Sequence, residues 1–448
     1  KKYFDTVYER NMNGGIAYQI LWNNIEEFKN SNDPEAEKWL NYLIEEDLKF
    51  SKQKQAPILF WYGVGKPKLN RKKIKHIENK NWINTSNKLS QEELISDKKS
   101  GVDKKLNKET NRIRFLNNID VKKIDPDTYS FLNNSGIKLS DITYDEFLMF
   151  KEKLKIQNWM EVAFDIFNNT NPNLYKIITD SNRADFLFLL NIKKNDLALD
   201  VGAGWGQISV PLSKFCDVVA LEGNLEKIDL IKEIAKQENR NNIQYVATNI
   251  FDDIFENKQF DFIILNDILE LMNVIPKETT SFNIQEKFFQ IAYDLLKPGG
   301  VLYIGIENKY GLKYLLGEKD DNTGLEDFVY LNDNSIESFY KSVTGNSLSS
   351  LTQSKKNYEK MLKISGFKNI DFFASLPDFK LPRLILNSAD NSSIQFAQNN
   401  LEFIPEFDGS TGHISKLNNK LQNIYSIFSP NELSNLYPSY SIIARKLK

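Results

Sequence analysis

The sequence predicts an α/β fold: a doubly wound, mostly parallel, seven-stranded sheet with a helical N-terminal extension and an inserted C-terminal lid. Three observations predict it. From residue 197 onward, short apolar runs alternate with stretches of helical period. The first of these runs, "LALDVGAGWGQISV" (197–210), ends on an acid and then places glycines at every second position. The chain is 448 residues long, too long for one ordinary domain, and its 41% hydrophobic content is enough for a large core.

The elements follow in order. Residues 1–112 form an accessory region of α/β or helical character. Within it, "SNDPEAEKWLNYLIEEDLKF" (31–50) has Asp33 as a helix cap and Pro34 in the first turn. "APILFWYGVGKP" (56–67) reads as a strand with a Gly/Pro stop, and the charged stretch 86–112 as a polar linker. Residues 113–195 read as a helical lead-in, ending in a helix over 180–196. The core then runs over 196–385 and 436–448. Its strands are "LALDV", "DVVALEGN" (217–224), "IQYVATN" (243–249), "FDFIILND" (260–267), "VLYIGIEN" (301–308), "NIDFFASLP" (369–377) and "YSIIARK" (440–446). Helices fill the intervals, and "KPGG" (297–300) stops the one before the fifth strand. Residues 386–435 read as an insertion, forming the lid.

The totals exclude several function classes. The formal charge is −2, without the basic footprint of a nucleic-acid binder, so nucleic acid is not an expected partner. Cys216 is the only cysteine, which rules out an internal disulfide and a cysteine-based zinc site. His76 and His413 are the only histidines, and no metal is expected. No apolar run reaches the length of a membrane helix, and no basic-then-apolar signal opens the sequence. A soluble, cytoplasmic protein is the expectation.

The glycine turn admits three readings. A phosphate P-loop requires Gly-Lys-Ser/Thr, which Gln207-Ile208-Ser209 does not supply. A dinucleotide fold requires a glycine where Gln207 stands; here the third glycine, Gly206, arrives one position early. The third reading is S-adenosylmethionine. "DVGAGWG" (200–206) resembles the first motif of the class I S-adenosylmethionine-dependent methyltransferases, D/E-x-G-x-G-x-G.

That resemblance covers roughly residues 180–380 and the last strand, and implies a Rossmann-like core with S-adenosylmethionine as cofactor. Asp200 would orient the turn or the ligand amine. Gly202, Ala203, Gly204 and Gly206 would let the backbone approach the ligand. Trp205 would cover the methionine part or simply pack. Glu222, followed by Gly223, ends the second strand, where a carboxylate accepts from both ribose hydroxyls. Asn249 and Ile250 would meet adenine, with Asn249 standing where the family often has an acid. Asn266 would lie beside the transferred methyl.

The acceptor is addressed by a narrower resemblance. "GIENKYGLKYLLGEKDDNTG" (305–324) and "SLPDFKLPRLI" (375–385) resemble a methyltransferase subgroup associated with bacterial surface-polysaccharide biosynthesis. Asn322 stands where that subgroup has His. The implied acceptor is an oxygen of a carbohydrate or related small molecule. An alcohol must lose its proton as it attacks, so a base is needed. Asp267, Glu270 and Glu307 are candidates near strand ends, and His413, in "DGSTGHISK", is a candidate on the lid. Tyr310 and Tyr314 would stack on a sugar or fill the core. The basic stretch 66–76 would meet phosphate or remain a solvated face.

Two rival functions remain open at this point: methylation of RNA or protein, and a non-catalytic scaffold binding a partner enzyme through residues 1–112. "NDIL" (266–269) lacks the Asn/Asp-Pro-Pro-Tyr of many amino-group methyltransferases.

Overall fold

A computed structural model describes residues 113–117, 119–131, 142–270, 281–315, 351–399 and 427–448, with short stretches between 318 and 348. The accessory region 1–112 with its basic stretch, Asn322, His413 and most of the expected lid lie outside the described residues.

Ten strands form a single sheet: β1 (Lys122–Asp125), β2 (Thr128–Ser130), β3 (Leu197–Val201), β4 (Asp217–Glu222), β5 (Ile243–Ala247), β6 (Phe260–Asn266), β7 (Leu296–Glu307), β8 (Lys368–Leu376), β9 (Leu384–Asn387) and β10 (Ser439–Arg445). Their order is β1-β2-β5-β4-β3-β6-β7-β10-β8-β9. The seven expected strands are the contiguous centre. Strands β5, β4, β3, β6 and β7 are parallel, while β10 runs antiparallel between β7 and β8.

The sheet exceeds the expected seven strands at both edges. β1 and β2 come from the segment read as helical, and β2 pairs parallel to β5. Their turn, Asp125-Pro126-Asp127, is closed by Asp127 N–H donating to Asp125 Oδ1 at 3.0 Å. The other added strand, β9, folds back on β8. β7 also starts earlier than expected. Lys297-Pro298-Gly299-Gly300 is strand, because Gly299 and Gly300 pair with Lys446 beyond β10.

β3 is buried at every position, as parallel strands covered on both faces are. Leu197, Leu199 and Val201 join one core layer, which also takes the sides of α6 (Ser281–Leu295) and α9 (Lys355–Ile364). Ala198 joins the other layer, beneath α1 (Tyr144–Leu154), α2 (Trp159–Phe167), α3 (Pro172–Thr179) and α5 (Leu225–Gln237). The four-residue α4 (Ser209–Leu212) links the glycine turn to β4.

Caps fix the helix starts. Thr143 and Glu146 form a capping box at α1, and Asn224 accepts from Glu226 and Lys227 N–H at the start of α5. α7 (Leu312–Leu315) and α8 (Asp333–Thr344) follow β7. In the expected lid, α10 (Asn391–Asn399) and α11 (Pro430–Leu436) bring Ile394 and Leu433 into the main core.

The segment before β3 is a 3-10 helix, Ser181–Leu189, where an α-helix is the sequence expectation. Six successive residues, Asn182 to Leu187, are buried in it. One α-helical face cannot bury six in a row. Phe186 stacks on Tyr303 of β7 with ring centroids 3.7 Å apart, which holds the segment flat on the sheet.

Candidate active site

Strand register brings the expected site residues to one edge. Val201 pairs with Leu221 and Leu265, Glu222 with Ala247, and Asn266 with Gly305, so the carboxyl ends of β3, β4, β5 and β6 align. The chain order reverses at β3, between β4 and β6, and open α/β sheets bind ligands outside the strand ends at such a switch point.

The glycine turn leaves β3 here. Gly202, Gly204 and Gly206 have φ of 71°, 57° and 80°, a left-handed conformation that favours glycine. Two are also sterically confined. A Cβ on Gly202 would lie 2.9 Å from Ile268 Cδ1, and one on Gly206 2.9 Å from Ile231 Cγ2 of α5. Gly204 differs: a Cβ there would meet only the end of the Gln207 side chain.

Gly202 and Ala203 N–H both donate to the Leu221 carbonyl at 2.9 Å, tying the turn to β4. Gly204 N–H donates to Glu222 Oε2 at 2.9 Å, and Asn224 N–H to Oε1 at 3.1 Å. Glu222 is therefore aimed by a backbone donor on each oxygen. Gly223 links Glu222 to the Asn224 cap.

Asp200 is buried within β3 and accepts from Ser209 Oγ at 2.5 Å. Burial pushes its carboxyl up to about 6, against that hydrogen bond. Its role here is to hold the turn to α4. Trp205 is buried, edge-on to Phe150 and Phe167 at 5.2 and 5.7 Å, so its indole is a packing element between the turn and the helical layer. Asn249 is exposed and caps a short 3-10 turn that begins at Ile250, its Oδ1 accepting from Phe251 N–H.

The β6 and β7 ends carry a charged network. Asp267, at φ 67°, accepts from Arg183 Nη2 at 3.2 Å, and Lys380 Nζ lies 3.8 Å from its other oxygen. Arg183 Nη1 also donates to the Lys380 carbonyl. Glu307 is fully buried; Lys313 Nζ lies 2.9 Å from it, the Tyr314 hydroxyl donates to it, and Lys380 stands at 3.8 Å. Lys313 reaches on to Asp378 at 3.4 Å. Tyr314 is thus a buried partner of Glu307, while Tyr310 is 47% exposed.

Glu270 is 2% exposed, and burial, reinforced by the Asp267 charge, pushes its carboxyl up to about 8. Both amide atoms of Asn266 and Oε2 of Glu270 are buried without a hydrogen-bond partner. Asn266 lies so close to Gly305 that a Cβ there would fall 1.8 Å from its Oδ1.

Arg183, Lys313, Asp378 and Lys380 are site residues that sequence reasoning does not single out. "LPDFKLP" and "IENKYGLKY" are visible as motifs, yet only folding shows that one lays its Asp and Lys onto the Glu and Lys of the other. Arg183 carries no sequence signal beyond an arginine in an apolar segment.

Comparison with known proteins bears on this site. Residues 180–324 match the family model of the methyltransferase small domain. The segment is similar to a methyltransferase domain. It contains the glycine turn, Glu222, Asn266, Asp267, Glu270 and Glu307. The mitochondrial ubiquinone biosynthesis O-methyltransferase of Rattus norvegicus is 31% identical over 123 residues, 27% of this chain and 33% of the relative. The 23S rRNA (uracil(1939)-C(5))-methyltransferase RlmD of Legionella pneumophila is 25% identical over 117 residues, 26% of this chain and 24% of the relative. The chain thus spans a third or less of the length of these curated relatives.

Among solved structures, phosphoethanolamine N-methyltransferase 2 of Haemonchus contortus aligns at TM-score 0.35 and 17% identity, over 64% of this chain and 60% of that one. An S-adenosylmethionine-dependent methyltransferase of Methanosarcina mazei aligns at TM-score 0.33 and 18% identity, over 57% and 94%. The methyltransferase domain fits S-adenosylmethionine on its own geometry: the Cβ-free approach at Gly204 and the doubly anchored Glu222 carboxylate provide a cradle and a diol acceptor. Among the described residues, no group of three or more His, Cys, Asp or Glu could hold a metal, and no helix is long and apolar enough to cross a membrane.

Proposed function

We propose that this chain transfers a methyl group from S-adenosylmethionine to a hydroxyl oxygen of a carbohydrate or similar polar small molecule. The observation that carries the cofactor half is the Gly204–Glu222 hydrogen bond at the switch point of the sheet. The acceptor half is supported by the carboxyl groups at the end of β6, which suit an acceptor that must lose a proton.

S-adenosylmethionine supplies an electrophilic methyl carbon, and transfer forms an oxygen–carbon bond as the sulfur–carbon bond breaks. This chain's residues have three tasks. Glu222 and the glycine turn would hold the nucleoside of the cofactor beside the end of β6, where the acceptor would be aligned with its methyl group. Asp267 accepts the hydroxyl proton; Arg183 aims its carboxylate, and its 30% exposure leaves a route to solvent. Glu307 is not the base in this reading, because Lys313, Tyr314 and Lys380 already occupy its oxygens.

RNA remains the second reading, since one curated relative is an rRNA methyltransferase. The test is calorimetric titration with S-adenosylmethionine and S-adenosylhomocysteine, beside Gly204→Val and NADH. Binding that is lost in the variant and absent for NADH supports the cofactor. Turnover of glycosides but not of rRNA fragments supports the acceptor, and the reverse outcome selects RNA.

A further inference from the structure

The sheet edge holds more unfilled hydrogen-bonding capacity than a methyl donor would use. Among the described residues, eight buried side-chain N or O atoms lack partners, and five of them belong to four side chains: both amide atoms of Asn266, Glu270 Oε2, Gln285 Oε1 and Gln353 Nε2. Buried polar groups are satisfied as a rule, so such a cluster calls for an occupant.

Three of the four are linked through the backbone around Glu270, and Asn266 ends β6 four residues before it. Gln285, on α6, donates from Nε2 to the carbonyls of Leu269 and Leu351 at 3.2 and 3.0 Å. Leu351 N–H donates to the Glu270 carbonyl at 3.2 Å. Two residues on, Gln353 N–H donates to Tyr358 Oη at 2.9 Å, and its carbonyl accepts from Lys309 N–H at 3.0 Å. The β6 loop, α6, the 351–353 segment and the end of β7 therefore meet at one place.

We propose that Asn266, Glu270, Gln285 and Gln353 form a hydrogen-bonding subsite for a neutral, polyhydroxylated acceptor. The inference rests on the methyltransferase reading and deepens it. Donors and acceptors are both present, in the mixture that adjacent hydroxyls require. A flat aromatic acceptor would need apolar walls and few polar groups.

Glu270 makes no ion pair among the described residues. The charged and titratable groups facing it are Asp267 on its own loop, Lys380 before β9 and Tyr358 on α9, while the backbone N–H groups of Glu270 and Glu307 donate to its carboxyl. Lys380 is shared between Asp267 and Glu307. Burial and the Asp267 charge favour the protonated form of Glu270, which would donate its O–H to an acceptor oxygen while Asp267 takes the proton of the reacting hydroxyl. The two carboxyls divide the work because only one is wholly buried.

The test uses the full chain saturated with S-adenosylhomocysteine. Methyl α-D-mannopyranoside and methyl α-D-glucopyranoside are titrated by calorimetry, with 3,4-dihydroxybenzoate as the aromatic rival. At least one glycoside is expected to bind at neutral pH. Glu270→Leu should weaken it by about tenfold or more, and Glu270→Gln, which keeps a donor, by no more than about threefold. Moving to pH 9 should weaken the wild type by about tenfold and leave Glu270→Gln unchanged, because the carboxyl titrates at about 8. Gln353→Leu, away from the carboxyl, should weaken the glycoside too. Glycosides that fail to bind, bind indifferently to these changes, or lose out to 3,4-dihydroxybenzoate overturn the subsite. Failure of S-adenosylhomocysteine itself to bind overturns the methyltransferase reading, and the subsite with it.

Discussion

Lys313 places its ammonium 2.9 Å from Glu307 Oε1, and side-chain exposures of 4% and 1% leave the pair almost without water. Removing one partner of a buried pair leaves an uncompensated charge, which costs more than the pair contributes. Lys313→Met is expected to destabilise the fold by about 3 kcal/mol. That is the low end for such a loss, since the Tyr314 hydroxyl and Lys380 remain with Glu307. Adding Glu307→Gln to Lys313→Met should recover a large part of it. Urea unfolding of the two singles and the double measures this, and a double mutant at the sum of the singles would contradict it.

The three turn glycines separate fold from function. Gly206→Ala adds a Cβ 2.9 Å from Ile231 as well as left-handed strain, so it should destabilise the protein by more than the strain alone. Gly204→Ala carries the strain, about 1–2 kcal/mol, but meets only a flexible Gln207 end. Its larger effect should be on ligand binding. Paired thermal unfolding and S-adenosylhomocysteine calorimetry should show Gly206→Ala losing more stability and Gly204→Ala losing more affinity for each kcal/mol of stability lost.

The seven core strands are legible in the sequence because each is an apolar run that the glycines, prolines and polar turns around it delimit. β1 and β2 are not, because Lys122, Lys123 and Ile124 of β1 are exposed on an edge, and the buried residues of β2, Thr128 and Ser130, are polar. The 3-10 segment before β3 has the apolar composition of a helix, and only its docking on Tyr303 flattens it. In the site, the glycines and Glu222 can be read from spacing along one strand–turn–strand unit. Arg183 cannot: it meets Asp267 across 84 residues, and no local pattern encodes that contact.

Arg183 is expected to act through Asp267. Its Nη2 holds that carboxylate at 3.2 Å while Nη1 holds the Lys380 carbonyl at the same distance. A planar fork can serve both; a lysine cannot. Arg183→Lys should therefore leave S-adenosylhomocysteine affinity within about threefold and lower kcat by about tenfold or more, with little change in acceptor KM. Kinetics with an acceptor from the glycoside panel, beside calorimetry, separate these quantities. A loss confined to KM would make Arg183 a substrate contact instead.

Asp200 should leave a signature in stability against pH. Its carboxyl is raised from 3.8 to about 6 in the folded state, chiefly by burial, so the native protein binds more protons than the unfolded chain between those values. The penalty of burying the ionised form is therefore full above about pH 6, relieved as pH falls through that value, and gone below the unfolded value near 4. A rise of this size corresponds to about 3 kcal/mol. Asp200→Asn removes the titration and keeps an acceptor for Ser209 Oγ. Relative to this variant, the wild type should gain about 2–3 kcal/mol as pH drops from 7 to 4. Urea unfolding of both proteins at each pH measures the difference directly, so other titrating groups cancel. A difference that stays level over this range would mean that Asp200 is as easily ionised in the folded chain as in the unfolded one, and that the Ser209 hydrogen bond and Arg183 fully offset its burial.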